Sequence, residues 1–559
     1  MERIWFKNYP DGVRHEVDTD ELGTIVNMFN RSVEDYKDFN AYTSVKTTLT
    51  FGQTKKLVDE FSSFLQGVLK VQKGERIALM MPNVLQYPVA VFGALQAGMI
   101  VVNLNPLYTA PELKQQLLDC QATTVLVLEN FAATLAKVVQ EVPVKHVIIA
   151  KFGDLLHSLW GPLMNFYLKY LNKAIPPYNL PHAISFKKAL KLGAQTTFRP
   201  VDISSTDIAF LQYTGGTTGM PKGAMLSHKN VCSNILQARE WVSPRLDKGE
   251  CMVTPLPLYH IFSLTVNLLI IGSLGGHNIL IANPRDTKTF VRQMKNKKFK
   301  ITAISCVNTL FNSLLHSPEF AKLDFSTWKL ALGGGAAVQQ DVARKWQEVT
   351  GMPIVEAYGL TEASPGVCVN PVTIKEYTGF IGLPLPNTDV QVRNEENQVL
   401  EVGEIGSLWV KGPQVMEGYW NQPEETEKVL KDGWLDTGDM AFINEGGYVK
   451  LVDRKKEMII VSGFNVYPNE IEDVLMQHPG ILECSVIGVP NERTGEAPKA
   501  FVVRKDPNLT EKEIIQFARK SLTGYKLPKS VEFRDELPKS NVGKILRRVL
   551  QDEEKQKNS

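Results

Sequence analysis

Cysteine is sparse and scattered. Cys120, Cys232, Cys251, Cys306, Cys368 and Cys484 are the six among 559 residues, and no two form a CxxC pair. That spacing argues against a zinc ribbon or a disulfide-built scaffold, and reduced thiols are the expectation. A charge excess is also missing. Lys and Arg number 62 against 60 Asp and Glu, a formal net charge of +2, so no bulk field calls for nucleic acid. No stretch offers the clean apolar length that a membrane span needs. The nearest are 87–102, interrupted by Gln96, and 261–276, interrupted by Asn267; both are expected to be buried helices. The opening MERIWFKNYPDGVRHE mixes charges and has no apolar centre, so no signal peptide is expected. Internal repeats and low-complexity tracts are absent.

What is present reads as a large α/β protein. The length exceeds what one hydrophobic core supports, and the composition, 43% hydrophobic and 22% charged, is that of a globular chain. Strand-like runs at 76–81, 123–127, 147–150 and 300–305 alternate with helical stretches, which predicts mostly parallel sheets flanked by helices. From 378 to 439 the chain becomes rich in turns, with short β runs such as 406–411, and a β-barrel-like antiparallel section is expected there. Beyond the charged run Asp453-Arg454-Lys455-Lys456, strand candidates at 485–489 and 500–503 and a helix at 511–522 predict a small α+β C-terminal domain. The division is placed at 1–453 and 454–559. The polar tail after Gln551 is expected to be disordered.

The strongest local signal is YTGGTTGMPKG at 213–223. A strand-like run precedes it, and 227–242 follows with Val231, Ile235, Ala238 and Trp241 on one helical face, so the loop is expected to join a strand to a helix. Gly215, Gly216 and Gly219 let the backbone approach a ligand closely. Thr214, Thr217 and Thr218 add hydroxyls, and Lys222 adds a positive charge. Amides, hydroxyls and an ammonium together make a polyphosphate cradle. It is not a Walker A loop, because Lys222 precedes Gly223 where that motif needs Ser or Thr.

Six further motifs follow in order: LPLYHIF at 256–262, GGGAAV at 333–338, YGLTEASP at 358–365, GWLDTGD at 433–439, DRKKEMIIVSGFNVYPNEIE at 453–472 and PKSNVGKILRR at 538–548. With the glycine loop, this series resembles the adenylate-forming superfamily of acyl-CoA synthetases, peptide-synthetase adenylation domains and beetle luciferases. NPLYTAPEL, NPRD, GPQVMEGYW and SGFNVYPNEIEDV are most similar to the bacterial long-chain fatty acid–CoA ligases.

The resemblance implies roles that single residues would not suggest alone. Tyr213 to Gly219 with Lys222, Gly334, Gly335, Ala336, Tyr358, Gly359, Thr361, Asp439, Arg454 and Lys544 become the ATP and AMP site. Tyr358 would lie against adenine, Thr361 near the α-phosphate, and Asp439 and Arg454 by the ribose. Glu362 with Thr218 would hold Mg2+, a cation that shares oxygen ligands with phosphate. Lys544, Lys222, His260, Thr361 and Glu362 are the catalytic candidates. His260 would stand by the substrate carboxylate; read alone it is a core histidine, and no GxSxG lies nearby to make it a triad base. Tyr259, Val307, Gly333 and Pro365 would line the acyl pocket.

The implied reaction has two steps: a carboxylate attacks ATP to give acyl-AMP and pyrophosphate, and a thiol then displaces AMP. The C-terminal domain would be mobile, turning about Lys456 so that Gly463 and Phe464 come to line a coenzyme A channel. One departure stands out. Ile460 occupies a position where luciferases carry a second lysine, so no thioester-step role passes to it. The implied partners are a fatty acid, ATP and coenzyme A, with no nucleic acid; a homodimer is left open. The expected location is cytoplasmic. Residues 154–173, DLLHSLWGPLMNFYLKYLNK, read either as a helix pair broken at Gly161-Pro162 or as a peripheral contact with the inner face of a membrane. A medium-chain or aryl acid–CoA ligase, a carrier-protein ligase, a luciferase-like oxygenase and a nucleotide sensor share the nucleotide motifs.

Overall fold

A computed structural model describes residues 3–214, 221–296, 298–540 and 543–558. Its two large sheets come from the alternating texture of the first two-thirds of the chain. One sheet has eight strands, with Ile100–Asn103, Arg76–Met80, Thr124–Leu128 and His146–Ala150 running parallel at its centre. Thr124–Leu128 is buried at every position, as a strand covered by helices on both faces must be. The other sheet has nine strands. Its parallel centre is His277–Leu280, Cys251–Thr254, Ala303–Cys306, Leu330–Gly333 and Ile354–Gly359.

The turn-rich section forms an antiparallel sheet as expected. Asp389–Arg393, Gly406–Lys411 and Trp434–Ile443 pair in succession, and Val449–Arg454 pairs with Trp434–Ile443. The C-terminal sheet is built on the long hairpin of Ile481–Asn491 and Gly495–Arg504, with Pro468–Leu475 and Glu511–Ala518 among its helices. Arg547 ties this unit to the strand before it. Its buried guanidinium lies 3.0 Å from Asp453 and 2.7 Å from Glu472, and it also pairs with Glu457.

Three expectations need correction. The glycine-rich loop joins two strands: Ile208–Thr214 pairs antiparallel with Lys222–Ser227, and the helix His228–Val242 begins only afterwards. The backbone pairing from Thr214↔Lys222 to Ile208↔Ser227 places a strand between the loop and the helix. The segment 87–102 is also divided. Gln86–Gln96 is a helix buried on all sides, Gly98 turns the chain at φ +76°, and the β-branched Ile100–Asn103 run is a strand. Lastly, the polar tail is helical from Arg547 to Asn558. Its Glu554 is buried and pairs with Lys499 at 2.7 Å, so a charged tail finds a partner on the long hairpin.

The second apolar stretch is a buried helix as expected. Asn267 is satisfied within it, accepting from Ser263 at 3.1 Å and donating to Thr254 at 3.2 Å. Among the described residues no helix is long and apolar enough to cross a membrane. Residues 160–171 form one helical rod, Trp160–Phe166 continuing into Tyr167–Leu171, so Gly161-Pro162 opens the helix and does not break it. Its apolar side chains are exposed, among them Leu163, Phe166, Tyr170 and Leu171.

Candidate active site

The strands Ala303–Cys306, Leu330–Gly333 and Ile354–Gly359 run parallel in register, with Cys306 opposite Gly333 and Gly333 opposite Glu356. Whatever follows their carboxyl ends therefore emerges together, where open α/β sheets bind ligands. Val307, Gly335, Ala336, Tyr358 and Gly359 do so and line a cleft of about 780 Å³. Asp439 and Arg454 enter it from the antiparallel sheet, and Lys544 from the C-terminal unit. Five of the seven motifs, scattered over the sequence, thus contribute to one region.

Asp439 and Arg454 face each other as partners on paired strands. The Asp439 carboxylate accepts from the Tyr358 hydroxyl at 2.5 Å and meets the Arg454 guanidinium at 3.1 Å. It is buried yet doubly partnered, as a buried carboxylate must be. Gly359 is required by contact: a Cβ there would lie 2.1 Å from the Pro365 carbonyl oxygen. Glu356, which sequence reading passed over, holds the 333–338 loop by accepting from the Val338 amide at 2.9 Å. Burial pushes its carboxyl up to about 7.

Lys544 reaches the cleft because its loop docks on the large domain. The Thr309 hydroxyl donates to the Gly543 carbonyl at 2.9 Å. Gly543 has φ +87°, and a Cβ would stand 2.6 Å from the Thr309 oxygen, so both conformation and contact demand glycine. Crowding by protein, and secondarily the Arg454 charge, lower the Lys544 ammonium to about 8. His260 is lowered to about 4, first by burial and then by Lys544, so the ring is neutral at pH 7. Its Nδ1 accepts from the Phe262 amide at 3.3 Å, which leaves the proton on Nε2.

A second cluster lies at the exit of the glycine loop. Glu362 accepts from the Tyr419 hydroxyl at 2.7 Å, and the Lys222 ammonium stands 5.0 Å over the Tyr419 ring. Lys222 also pairs with Glu425. Tyr419, Glu425 and Thr309 escaped the sequence reading, since each matters through a partner far along the chain. Thr361 is half-buried in the short helical turn it shares with Glu362.

Other expected residues are placed elsewhere. Tyr213 does not line the cleft; its hydroxyl bonds Asp119 and its ring packs with the core around Leu211. Gly334 sits at the strand end with the Phe262 ring 3.1 Å from where a Cβ would be. Gly333 closes Leu330–Gly333 against Ile354 and Val338. Pro365 is buried, and the Tyr259 carbonyl accepts from Gln212 at 2.8 Å. Lys456 lies in an exposed turn, and Gly463 and Phe464 form the exposed tip of a hairpin where Phe464 stacks on Tyr525. Gly215, Gly216, Thr217, Thr218 and Gly219 lie outside the described residues. Among the described residues no cluster of three or more His, Cys, Asp or Glu could hold a metal by itself.

A cleft at parallel strand ends, closed by a small domain that brings in a lysine, defines an adenylate-forming enzyme. Residues 29–420 match the AMP-binding enzyme family and 470–544 match the AMP-binding enzyme C-terminal domain; the chain belongs to this family. It is 53% identical to a long-chain-fatty-acid–CoA ligase of Yersinia pestis, across 99% of this chain and 98% of that protein. It is 38% identical to the Bacillus subtilis enzyme of the same name, over 99% and 98%. Among solved structures it is similar to ATP-bound MatB of Rhodopseudomonas palustris, with a TM-score of 0.82 and 28% identity over 96% of this chain and 100% of that one. An anthranilate CoA ligase complexed with anthranoyl-AMP has the same fold, with a TM-score of 0.86 at 24% identity over 97% and 100%.

The Lys544 geometry predicts a pH profile. The ammonium is charged below about 8 and loses its proton above it, so kcat/KM for ATP in acyl-AMP formation should fall as pH rises through that value, since kcat/KM reports the free enzyme. Lys544→Arg keeps its charge throughout and should flatten the fall while lowering the rate. Stopped-flow adenylation over roughly two pH units either side of that midpoint checks both. A wild-type rate constant that stays flat through the alkaline limb would contradict the assignment.

Proposed function

We propose that the enzyme activates a long-chain fatty acid with ATP, giving acyl-AMP and pyrophosphate, and then transfers the acyl group to coenzyme A with release of AMP. The observation that carries the reading is Lys544, delivered by a separate C-terminal unit into the cleft that holds Tyr358, Asp439 and Arg454. The full-length relatives named long-chain-fatty-acid–CoA ligase support the acyl class.

Both reactants in the first step are anions, so charge is the difficulty. A fatty carboxylate is ionised at neutral pH and needs no general base. Lys222 meets the polyphosphate beyond the glycine loop, and Lys544 lies at the α-phosphate where negative charge shifts during transfer. Asp439 and Arg454 hold the ribose, and Tyr358 backs the adenine; this positioning supplies much of the remaining acceleration. Neutral His260, with its proton on Nε2, donates to the substrate carboxylate without fixing it as a strong ion pair. Glu362 would offer a carboxylate to a Mg2+ ion shared with the phosphates, and the ion would supply charge neutralisation there.

Residues 1–453 and 454–559 act as two bodies in this reading. With Lys544 in the cleft, Gly463 and Phe464 face solvent. Turning about Lys456 would withdraw Lys544 and bring the hairpin tip to the cleft for the thiol.

Two experiments follow. Pyrophosphate release should be screened with acids from acetate through decanoate to oleate, with and without coenzyme A. Oleate should be preferred, and thioester should form only with coenzyme A; preference for an aryl or short acid would refute the acyl class. Lys544→Ala should slow acyl-AMP formation by roughly 100- to 1000-fold and spare transfer from supplied acyl-AMP.

The exposed rod of residues 160–171 supports peripheral binding at the cytoplasmic face of a membrane. Its Leu163, Phe166, Tyr170 and Leu171, and Leu159 just before it, present apolar groups to solvent, with Lys46 over Trp160 and Lys169 near Tyr170. Aromatic residues beside lysines suit a lipid headgroup region. Replacing Trp160, Phe166 and Tyr170 with Ser should reduce co-sedimentation with anionic vesicles while activity on decanoate in detergent-free buffer persists. Unchanged sedimentation would remove the membrane role.

A further inference from the structure

Glu425 stands beside the polyphosphate lysine, and no part of the mechanism above uses it. It lies in the first turn of the helix Pro423–Val429. One carboxylate oxygen pairs with the Lys222 ammonium and the other with Lys428. Lys222, and then Lys428, hold the carboxyl well below the usual range, so it is an anion at every working pH.

Its place is built by backbone pairing. Gly418 and Tyr419 pair with Met225 and Ala224 on the strand that Lys222 opens, and the Trp420 amide donates to the Gly223 carbonyl at 2.8 Å. The Tyr419 amide donates to the Thr426 hydroxyl at 2.9 Å, which fixes the helix start against that strand. Glu425 is thereby carried to Lys222 by two structures that converge from 203 positions apart. The side chains of Lys222 and Glu425 remain 26% and 33% exposed, and a pair this open adds little to stability.

The same ammonium must nonetheless serve a polyphosphate. It has three donors and sits above Tyr419, whose hydroxyl bonds Glu362. The candidate metal carboxylate, Tyr419, Lys222 and Glu425 therefore form one chain of contacts along the phosphate end of the site.

We propose that Glu425 is a positioning residue that holds Lys222 in place between turnovers and competes for it with polyphosphate, so that pyrophosphate is released. This rests on the reading that Lys222 meets the phosphates. Removing the charge without changing the shape should leave Lys222 more available to its ligand.

The test is calorimetric titration of pyrophosphate and of an ATP analogue with a methylene between the α- and β-phosphorus, each with Mg2+, into the full-length enzyme. Glu425→Gln should tighten both by about threefold to tenfold, a range that corresponds to part of one charge-assisted contact. Product inhibition by pyrophosphate should strengthen and KM for ATP should fall, with no gain in kcat. Glu425→Asp should restore the wild-type constants. In a Lys222→Ala background the Gln substitution should have no effect.

Unchanged constants in Glu425→Gln would overturn the proposal. So would equal tightening with and without Lys222, which would make Glu425 a simple repulsive charge. Weaker binding together with a lower unfolding temperature would show a structural role and would also overturn it. If Lys222→Ala alone leaves both ligands bound as tightly as before, the phosphate role of Lys222 itself falls.

Discussion

In the proposed two-step reaction the Lys544 ammonium serves the first transition state and withdraws for the second, and the rest of the site is built around that constraint. Among the described residues, the loop that carries Lys544 is hydrogen-bonded to the large domain from Thr309 to Gly543, at 2.9 Å. Glycine at 543 permits that approach, and any side chain would displace the loop. The docking is local and specific, which suits a contact that has to form and break in each cycle. By contrast, Arg547 lies amid Asp453, Glu457 and Glu472, and its loss would leave their carboxylates uncompensated. The lysine is thus presented from a firmly built unit, on a loop that meets the large domain at Thr309.

The large domain supplies the fixed half of the site. Parallel strands in register place the 334–336 loop and Tyr358 side by side, and the antiparallel sheet sets Asp439 opposite Arg454. These positions follow from backbone pairing, so their side chains lose little freedom on binding a nucleotide. Arg454 ends the strand that leads into the exposed turn holding Lys456. The proposed ribose contact at Arg454 and the proposed pivot at Lys456 therefore share one short stretch of chain.

Much of this was legible because the chemistry lies in short, ordered motifs. Asp439, Arg454, Tyr358 and Lys544 are each recognisable within a few neighbours, and the structure brings all four to one cleft. The antiparallel run Gly406–Lys411 was visible as a short β run among turns. What escaped depends on distant partners. Glu425 meets Lys222 and Thr309 meets Gly543 across more than 200 positions, and nothing near Glu425 marks it among the glutamates around it. The helical tail looked disordered because its charges seemed solvated; Lys499 on the long hairpin gives Glu554 its partner. The strand Lys222–Ser227 was masked by the glycines before it and the helix after it. Tyr213 follows from the same pairing, since alternation along Ile208–Thr214 turns its ring toward Leu211 and the core.

The central claim is that one cleft serves two reactions through rotation about Lys456, and a proline there tests it most directly. Proline holds φ near roughly −65° and restricts the residue before it, so Lys456→Pro should lock the unit in one pose, whereas Lys456→Ala keeps the backbone free. Single-turnover measurement of each half-reaction in both variants separates the poses. The account predicts that the proline enzyme retains acyl-AMP formation and loses transfer to coenzyme A, with alanine keeping most of both. Proline slowing neither step, or alanine failing as proline does, would contradict it.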